Sequence, residues 1–379
     1  MFGVTMQNSN WKTKKLADIA TIFDGQHTTP RYTHTGVPFY SAENISTRIL
    51  PKCISVKEYE SQVKHKKPQK GDILFTRIGS LGKNIIANWD GPYAIYVTIA
   101  IIRPSPTILT GYLHHYLDSY TYQRELFSKA LLTAYPQKIN LEDLLSTKVS
   151  YPNIEEQRRI VEVLECWDKG IELVKKLIEQ KELQKKYLMQ QLLSGNRRLK
   201  GFTQKWETAR ISEIKDIIIE KGHSLTKQEV IPGNIPVIAG GQTVPFFHNK
   251  WTHNFPCITI SASGAYAGYV WKHTQKIYAS DCNVLYSNNY NLDFLYCVLK
   301  YNQNYLYYIQ TGGAQGHIYA SEIGHISIPF INAREQQAIA EVLSSADKEI
   351  DLLKQKLAKL EAQKKGLMQV LLTGKIRLK

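Results

Sequence analysis

The sequence predicts an α+β protein made of two α/β bodies and two long helices that pair as an intramolecular coiled coil. Three observations predict this pseudo-two-fold architecture. Two segments recur at a fixed offset along the chain, each recurring segment carries an apolar heptad pattern, and a β-rich body of different sequence precedes each one. The order is therefore body, helix, body, helix.

The repeat is read directly from the sequence. The stretch Glu-Gln-Arg-Arg-Ile-Val-Glu-Val-Leu that begins at Glu156 recurs as Glu-Gln-Gln-Ala-Ile-Ala-Glu-Val-Leu at Glu335, 179 residues later. Leu-Met-Gln-Gln-Leu-Leu-Ser-Gly at Leu188 recurs as Leu-Met-Gln-Val-Leu-Leu-Thr-Gly at Leu367, at the same offset. A single offset over the whole segment indicates one duplicated unit.

Apolar residues in each repeat follow alternating steps of four and three, which is the pattern of a coiled coil. Each repeat ends at a glycine that can terminate a helix, Gly195 or Gly374. About 40 helical residues make a rod about 60 Å long, and pairing the two rods hides both apolar stripes. The predicted seam of the first helix, with two intervening lysines, consists of Ile160, Leu164, Trp167, Ile171, Val174, Ile178, Lys181, Lys185, Leu188 and Leu192.

These signals divide the chain into four segments. Residues 1–153 form the first body, 154–200 the first helical spacer, 201–330 the second body and 331–379 the second helical region. Each body opens near a tryptophan, Trp11 or Trp206, and closes on a Ser-x-Pro sequence at Ser150 or Ser327. Similar helices and dissimilar bodies suggest one common partner for the helices and two different targets for the bodies.

Charge favours a polyanionic partner. The formal net charge is +15, and phosphate groups are contacted mainly by Lys and Arg. The first body carries +7 and the second only +1, while the two helical segments carry +3 and +4. The second body would therefore depend on neutral donors and aromatic side chains if it binds nucleic acid.

Other compositional features exclude several classes. The five cysteines include no C-x-x-C pair, so neither a zinc ribbon nor a redox site is expected. We expect a cytoplasmic protein whose cysteines are reduced thiols. No apolar run approaches the length that spans a bilayer, so no membrane association is expected.

Catalytic chemistry is not expected in this chain. The sequence contains no Asn-Pro-Pro-aromatic motif of adenine methyltransferases and no Gly-rich cofactor loop. The loop at Gly79 differs from a phosphate-binding loop because Arg77 and Asn84 stand where Gly and a hydroxyl residue are required. The adjacent His114 and His115 would point to different helix faces, so no metal site is predicted.

The motifs together resemble those of Type I restriction-modification specificity subunits. Residues 152–161 (Pro-Asn-Ile-Glu-Glu-Gln-Arg-Arg-Ile-Val) resemble the proline-led Glu-Gln-x-x-Ile motif that opens the conserved helices of that family. Residues 71–83 resemble a strand-and-loop signature of its target-recognition domains, and residues 134–139 resemble the segment before the conserved helix. The counterpart in the second body, residues 256–268, lacks the Gly-Asp lead and the arginine.

The resemblance implies a non-catalytic, two-headed reader of double-stranded DNA. Each body would be a target-recognition domain that reads one half of a bipartite asymmetric site, and the antiparallel helices would set the unread spacer. The helices would also dock two modification (methyltransferase) subunits, which carry S-adenosylmethionine. Restriction subunits, which use ATP and Mg²⁺, would join that complex to translocate and cut DNA. No cofactor would bind this chain. The alternative is a coiled-coil scaffold or interaction protein without sequence-specific DNA binding.

Candidate DNA contacts lie on polar loops, for which a plain solvated turn is the competing interpretation. Arg suits guanine, Asn suits adenine and Glu suits cytosine, whereas Ser and Lys suit phosphate. The candidates in the first body are Gln26, His27, Thr28, Arg31, Tyr32, Ser41, Glu43, Asn44, Arg77, Ser80, Lys83, Tyr135, Gln137 and Lys138. The basic run at residues 64–70 is either a phosphate-facing or a solvated loop.

The second body offers matching positions. The segment at His223 parallels the early loop, the segment at Ser261 parallels the Gly-Ser loop, and Gln315 with His317 parallels Gln137. The candidates are His223, Ser224, Thr226, Lys227, Ser261, Ser263, Tyr266, Gln315 and His317.

Overall fold

The computed structural model describes residues 11–63, 67–312 and 315–378. The chain forms two compact units, one of Met1–Lys175 with Lys356–Lys379 and one of Lys176–Gln355. The division falls within both long helices, so that each unit contains one body and part of each helix.

The first body is built on two antiparallel-rich sheets. The strands are β1 (Lys12–Lys15), β2 (Ala20–Asp24), β3 (Tyr32–Thr33), β4 (Val37–Tyr40), β5 (Lys52–Ile54), β6 (Ile73–Thr76), β7 (Asn84–Ile86), β8 (Ala94–Ile95), β9 (Ile99–Pro104) and β10 (Lys148–Tyr151). One sheet has the strand order β2-β9-β6-β7, the other has the order β3-β5-β4-β8, and β1 pairs with β10. Strand β6 is buried throughout, with Phe75 opposite Ala100 of β9.

Helices flank these sheets and lead into the first long helix. They are α1 (Ala42–Thr47), α2 (Val56–Gln62), α3 (Thr110–Asp118), α4 (Tyr120–Lys129), α5 (Leu141–Leu145) and α6 (Ile154–Leu193), with a 3-10 turn at Leu16–Asp18. The main core of the unit joins β6 and β9 to α3 and α4 and includes Ile160 of α6 and Leu371 near the chain end. Body and helix pair therefore share one apolar core.

The second body repeats this plan with different residues. The strands are β11 (Glu207–Arg210), β12 (Ile217–Lys221), β13 (Ile235–Ile238), β14 (Phe247–His248), β15 (Cys257–Ser261), β16 (Val270–His273), β17 (Tyr278–Ala279), β18 (Cys282–Ser287) and β19 (Ser327–Phe330). The sheets have the orders β12-β18-β15-β16 and β14-β13-β17, and β11 pairs with β19.

The helices of the second unit are likewise short until the last. They are α7 (Leu292–Tyr301), α8 (Gln303–Tyr308), α9 (Ala320–Gly324) and α10 (Ala333–Leu371), with 3-10 turns at Ile211–Glu213 and Lys227–Glu229. The main core joins Leu192 of α6 and Leu343 of α10 to β15 and α7.

Both long helices begin and end in the same way. Asn153 and Asn332 each accept a hydrogen bond from the backbone N–H three residues later, at 2.9 Å, as N-cap residues do. Gly195 and Gly374 adopt φ values of +74° and +69°. A Cβ on Gly195 would lie 3.0 Å from Trp206, and one on Gly374 would lie 3.0 Å from Trp11. Glycine is therefore required at both helix ends by conformation and by space.

The helices pair antiparallel within each unit. In the first unit Lys175 binds Glu361 at 2.7 Å, and in the second Lys354 binds Glu182 at the same distance. The two seam lysines also find carboxylates, because Lys181 pairs with Glu349 and Lys185 with Asp347. The predicted fold class, two α/β bodies with an antiparallel helix pair and a pseudo-two-fold repeat, is confirmed. In the described ranges no helix combines the length and apolarity needed to cross a membrane.

Candidate nucleic-acid interface

In the first unit the predicted recognition loops converge on an ion pair between Arg77 and Asp24. Arg77 follows the buried strand β6, and Asp24 ends β2. The Arg77 Nη1 atom donates to Asp24 Oδ2 at 3.0 Å and to the Val97 carbonyl at 3.1 Å. These bonds link the segment after β6 to the segments at Asp24 and Val97. The Arg77 side chain is only 10% exposed, so the guanidinium faces away from solvent.

Backbone hydrogen bonds complete this loop framework. The Gly79 N–H donates to the Gln137 carbonyl at 2.8 Å, and the Ile139 N–H donates to the Arg77 carbonyl at 2.9 Å. The Gln26 N–H donates to the Ile95 carbonyl at 3.1 Å. The loops that follow β2 and β6 and the segment before α5 thus belong to one surface.

The sequence-predicted residues of the first unit divide by exposure. Arg77 is buried and its guanidinium is held by Asp24, so its base contact stays a prediction. Ser41 and Asn44 are half-buried and cap α1, with the Ser41 N–H donating to Asn44 Oδ1 at 2.7 Å. Half-buried as well are Gln26 and Lys138, and the exposed group comprises His27, Thr28, Arg31, Tyr32, Glu43, Ser80, Lys83, Tyr135 and Gln137.

Sequence reasoning missed Asp24 as the partner of Arg77. Asp24 Oδ2 also lies 3.3 Å from Nε2 of the exposed His27, so this one carboxylate contacts two candidate residues, Arg77 and His27. The only sequence signal was an acid immediately before the predicted Gln26 loop. The basic run at residues 64–70 lies partly outside the described residues, and within it Lys70 pairs with Asp90 at 2.8 Å.

The second unit contains the same loop framework. The Gly264 N–H donates to the Gly316 carbonyl at 3.0 Å, and the Ile318 N–H donates to the Ala262 carbonyl at 3.0 Å. The His223 N–H donates to the Ala279 carbonyl at 2.9 Å. Each bond has its counterpart in the first unit, and the match places Ala262 where the first unit has Arg77.

Around this framework the side chains differ. Ser263 donates to Asp281, another carboxylate that sequence reasoning missed, and the His317 ring stacks on Tyr319 with centroids 6.3 Å apart. Ser261 is buried at the end of β15, and its DNA contact stays a prediction. The side chain of Lys227 lies outside the described part. The exposed candidates are His223, Ser224, Thr226, Tyr266 and Gln315, and the half-buried ones are Ser263 and His317.

The adjacent histidines of the first body are interior groups. Burial lowers the pKa of His114 to about 4, and burial together with the neighbouring His114 lowers the pKa of His115 to about 3. His114 Nδ1 lies 2.7 Å from Asn84 Oδ1. Over residues 11–63, 67–312 and 315–378, no group of three or more His, Cys, Asp or Glu side chains is arranged to hold a metal ion.

Comparison with known proteins gives a consistent result across the chain. The profile of the family described as type I restriction modification DNA specificity domain matches residues 8–183 and again 203–362. The chain is 26% identical, over 98% of its length, to a protein of Methanocaldococcus jannaschii assigned as the MjaX specificity subunit of a type I restriction enzyme, 94% of which is covered. A stretch of 110 residues, 29% of this chain and 23% of the relative, is 36% identical to the type I restriction enzyme EcoBI specificity subunit of Escherichia coli.

Solved structures share the fold. The crystal structure of a type I restriction-modification S subunit from M. genitalium matches with a TM-score of 0.66 and 18% identity over 96% of both chains. A chain from a structural study of assembly and conformational transition in a type I R-M system matches with a TM-score of 0.61 and 17% identity over 98% of both chains. Because the family profile covers both body-and-helix repeats, this chain belongs to the type I restriction-modification DNA specificity family.

Proposed function

We propose that each unit reads one half of a bipartite, asymmetric site in double-stranded DNA through the loops around its framework. The observation that supports this most strongly is that the two units share backbone hydrogen bonds but differ in the side chains displayed on them. A constant scaffold with variable exposed groups suits the reading of two unrelated half-sites, because base edges are distinguished by side chains.

The exposed groups of the first unit suit both parts of such a contact. Lys83 and Ser80 are on the loop that follows β6, where they would contact phosphate, and Gln137 and Tyr135 lie on the loop hydrogen-bonded to it. A Gln amide can read adenine, and an exposed aromatic ring can stack on a base or enter a groove. Charge agrees, because this body carries +7.

The long helices would have the constant role. In this proposal they fix the unread spacer between half-sites and dock two modification subunits, to which restriction subunits bind. Methyl transfer from S-adenosylmethionine and the ATP- and Mg²⁺-dependent steps would occur on those partners. The target base would be flipped into a partner's site, and this chain would contribute no catalytic residue.

Methylation mapping by single-molecule sequencing tests the proposal. The chain is expressed with its modification subunit in a host without adenine methylation, beside a culture that lacks this chain. A bipartite methyl-adenine motif that depends on the chain is expected. Absence of a motif despite a soluble complex would contradict sequence reading and favour the interaction-scaffold alternative.

Variants assign the halves. Gln137→Ala with Tyr135→Ala should relax only one half of the motif, and Tyr266→Ala with Gln315→Ala should relax only the other. Lys215→Ala is the matched control, because Lys215 precedes β12 and lies at the end of that strand away from the His223 loop. Relaxation of both halves by either double variant would contradict the assignment.

A further inference from the structure

The second unit contains a cleft that is not lined by any of the candidate recognition residues. It has a volume of about 640 Å³ and lies between α6 and the turn that joins α7 to α8. Its α6 side is formed by residues 182, 185, 186, 189 and 190, a spacing that places them on one helix face. Its other side is formed by residues 300–305, which include two tyrosines, two asparagines and a glutamine.

The cleft is cationic. Lys185 pairs with Asp347 and Glu182 pairs with Lys354, so these two contribute no surplus charge to the cleft. Lys300 forms no ion pair with the described residues, and its Nζ lies 3.3 Å from Gln303 Oε1, 3.5 Å from the Val270 carbonyl oxygen and 4.7 Å from the centroid of the Tyr269 ring. Lys186 is exposed, and no carboxylate of the described residues forms an ion pair with it. The ammonium groups of Lys186 and Lys300 are therefore the surplus positive charges of the cleft, and they lie beside neutral hydrogen-bonding side chains.

The cleft shares its support with a recognition loop. Gln303, which lines the cleft, donates to the Gly268 carbonyl at 2.7 Å and accepts from the Val270 N–H at 3.1 Å. Gln310, just beyond α8, donates to the Ala267 carbonyl at 2.6 Å. The start of α8 therefore lines the cleft and also contacts the loop at residues 263–268.

The first unit differs at the corresponding place. Its helix α10 repeats the same face, with Glu361, Lys364, Lys365, Met368 and Gln369 at the 179-residue offset. The end of α3, however, carries Asp118 where the end of α7 carries Lys300. A cationic cleft is thus a feature of the unit whose own body is nearly neutral.

We propose that this cleft binds backbone phosphates of DNA next to the half-site that the second unit reads. The proposal rests on the proposed function. The body at residues 201–330, in which Lys300 is already counted, has a charge of only +1, so Lys186 of α6 would add to its attraction for phosphate. Lys with Asn, Gln and Tyr is the set of side chains that contacts phosphate oxygens. An acidic peptide would find few apolar anchors here beyond Met189 and the tyrosine rings.

The test is the salt dependence of DNA binding by the full chain in complex with its modification subunit. A mixed-sequence duplex and the mapped target are each titrated over a range of salt concentrations. Lys186→Ala should reduce the slope of log K against log salt by about one and weaken both duplexes by the same factor. Lys186→Glu and Asn304→Asp should weaken binding further, and Lys215→Ala should leave the slope unchanged.

The outcomes separate the two proposals. A wild-type complex that binds neither duplex would overturn the proposed function and with it the cleft's role. Wild-type binding with an unchanged slope for both Lys186 variants, in chains that retain their helical circular dichroism, would overturn the cleft alone. If the Lys186 variants lose the modification subunit on purification but keep the wild-type slope of log K against log salt, the cleft binds a protein partner. That result would also overturn the proposal.

Discussion

Arg198 and Glu335 form a two-pronged ion pair, with Nε 2.6 Å from Oε1 and Nη2 2.7 Å from Oε2. Arg377 and Glu156, which occupy the equivalent positions of the other repeat at the 179-residue offset, form the same kind of ion pair. In each unit the arginine follows one long helix and the glutamate begins the other. The Glu of the Glu-Gln motif therefore joins the start of one long helix to the segment that follows the other. Its partner is the arginine of the sequence Arg-Leu-Lys, which stands at residues 198–200 and again at 377–379.

Loss of this carboxylate should destabilise the second unit strongly. Glu335 is 1% exposed, so Glu335→Ala would leave a largely buried arginine without its partner. The expected cost is about 3 kcal/mol of unfolding free energy, measured by urea denaturation followed by circular dichroism. Glu341→Ala, an exposed change on the same helix, should cost less than about 0.5 kcal/mol. Equal effects of the two variants would contradict the joining role of Glu335.

The glutamine of the motif joins body to helix. Gln336 Oε1 accepts from the Asn291 N–H at 2.9 Å and Nε2 donates to the Ile331 carbonyl at 2.8 Å. Gln336→Ala should cost about 2 kcal/mol, because it leaves the half-buried Asn291 N–H and the Ile331 carbonyl without the bonds that the buried Gln336 amide makes to them. The neighbouring Gln337→Ala is the control, since Gln337 is exposed. A Gln336 variant as stable as the Gln337 variant in the same urea titration would remove the argument.

The sequence was sufficient to predict the helix pair, because heptads and terminal glycines are local signals and the constant offset is found by comparing the two repeats. The Lys181 and Lys185 positions could be placed in the seam, but their partners Glu349 and Asp347 could not, since these are distant in sequence. The loop framework was also out of reach. Backbone bonds such as that from Gly79 to Gln137 depend on chain path and leave no residue signature, and Asp24 and Arg77 are separated by 53 positions.

Arg77 should behave as a framework residue. Arg77→Met would leave the Asp24 carboxylate without its ion-pair partner and release the segment at Val97, at an expected cost of about 2 kcal/mol. Thermal denaturation of the DNA-free protein measures this. Lys83→Ala is the comparison, because Lys83 is exposed on the same loop and should change salt-dependent DNA binding without changing the melting temperature. An Arg77→Met protein of wild-type stability that loses only DNA affinity would contradict the framework role and support the predicted base contact of Arg77.

Acid should destabilise the second unit through His273. Burial, aided by the nearby His253, lowers the pKa of His273 to about 4, against about 6.5 in an unfolded chain. Between these values the unfolded state binds more protons, so the stability from the neutral imidazole is complete above about pH 6.5 and is lost as pH falls toward 4.

His273→Gln tests this pH dependence, because an amide can still bond to the Thr259 hydroxyl, which lies 2.8 Å from His273 Nε2, but it does not titrate. The fall in urea midpoint from pH 7 to pH 5 should be smaller in the variant than in the wild type. His114 and His115 are present in both proteins, so their contribution cancels in this comparison. Imidazole NMR signals of the folded protein provide the direct check. A His273 resonance that titrates near pH 6.5 would show that burial does not hold this ring neutral, and the acid sensitivity would then have to arise elsewhere.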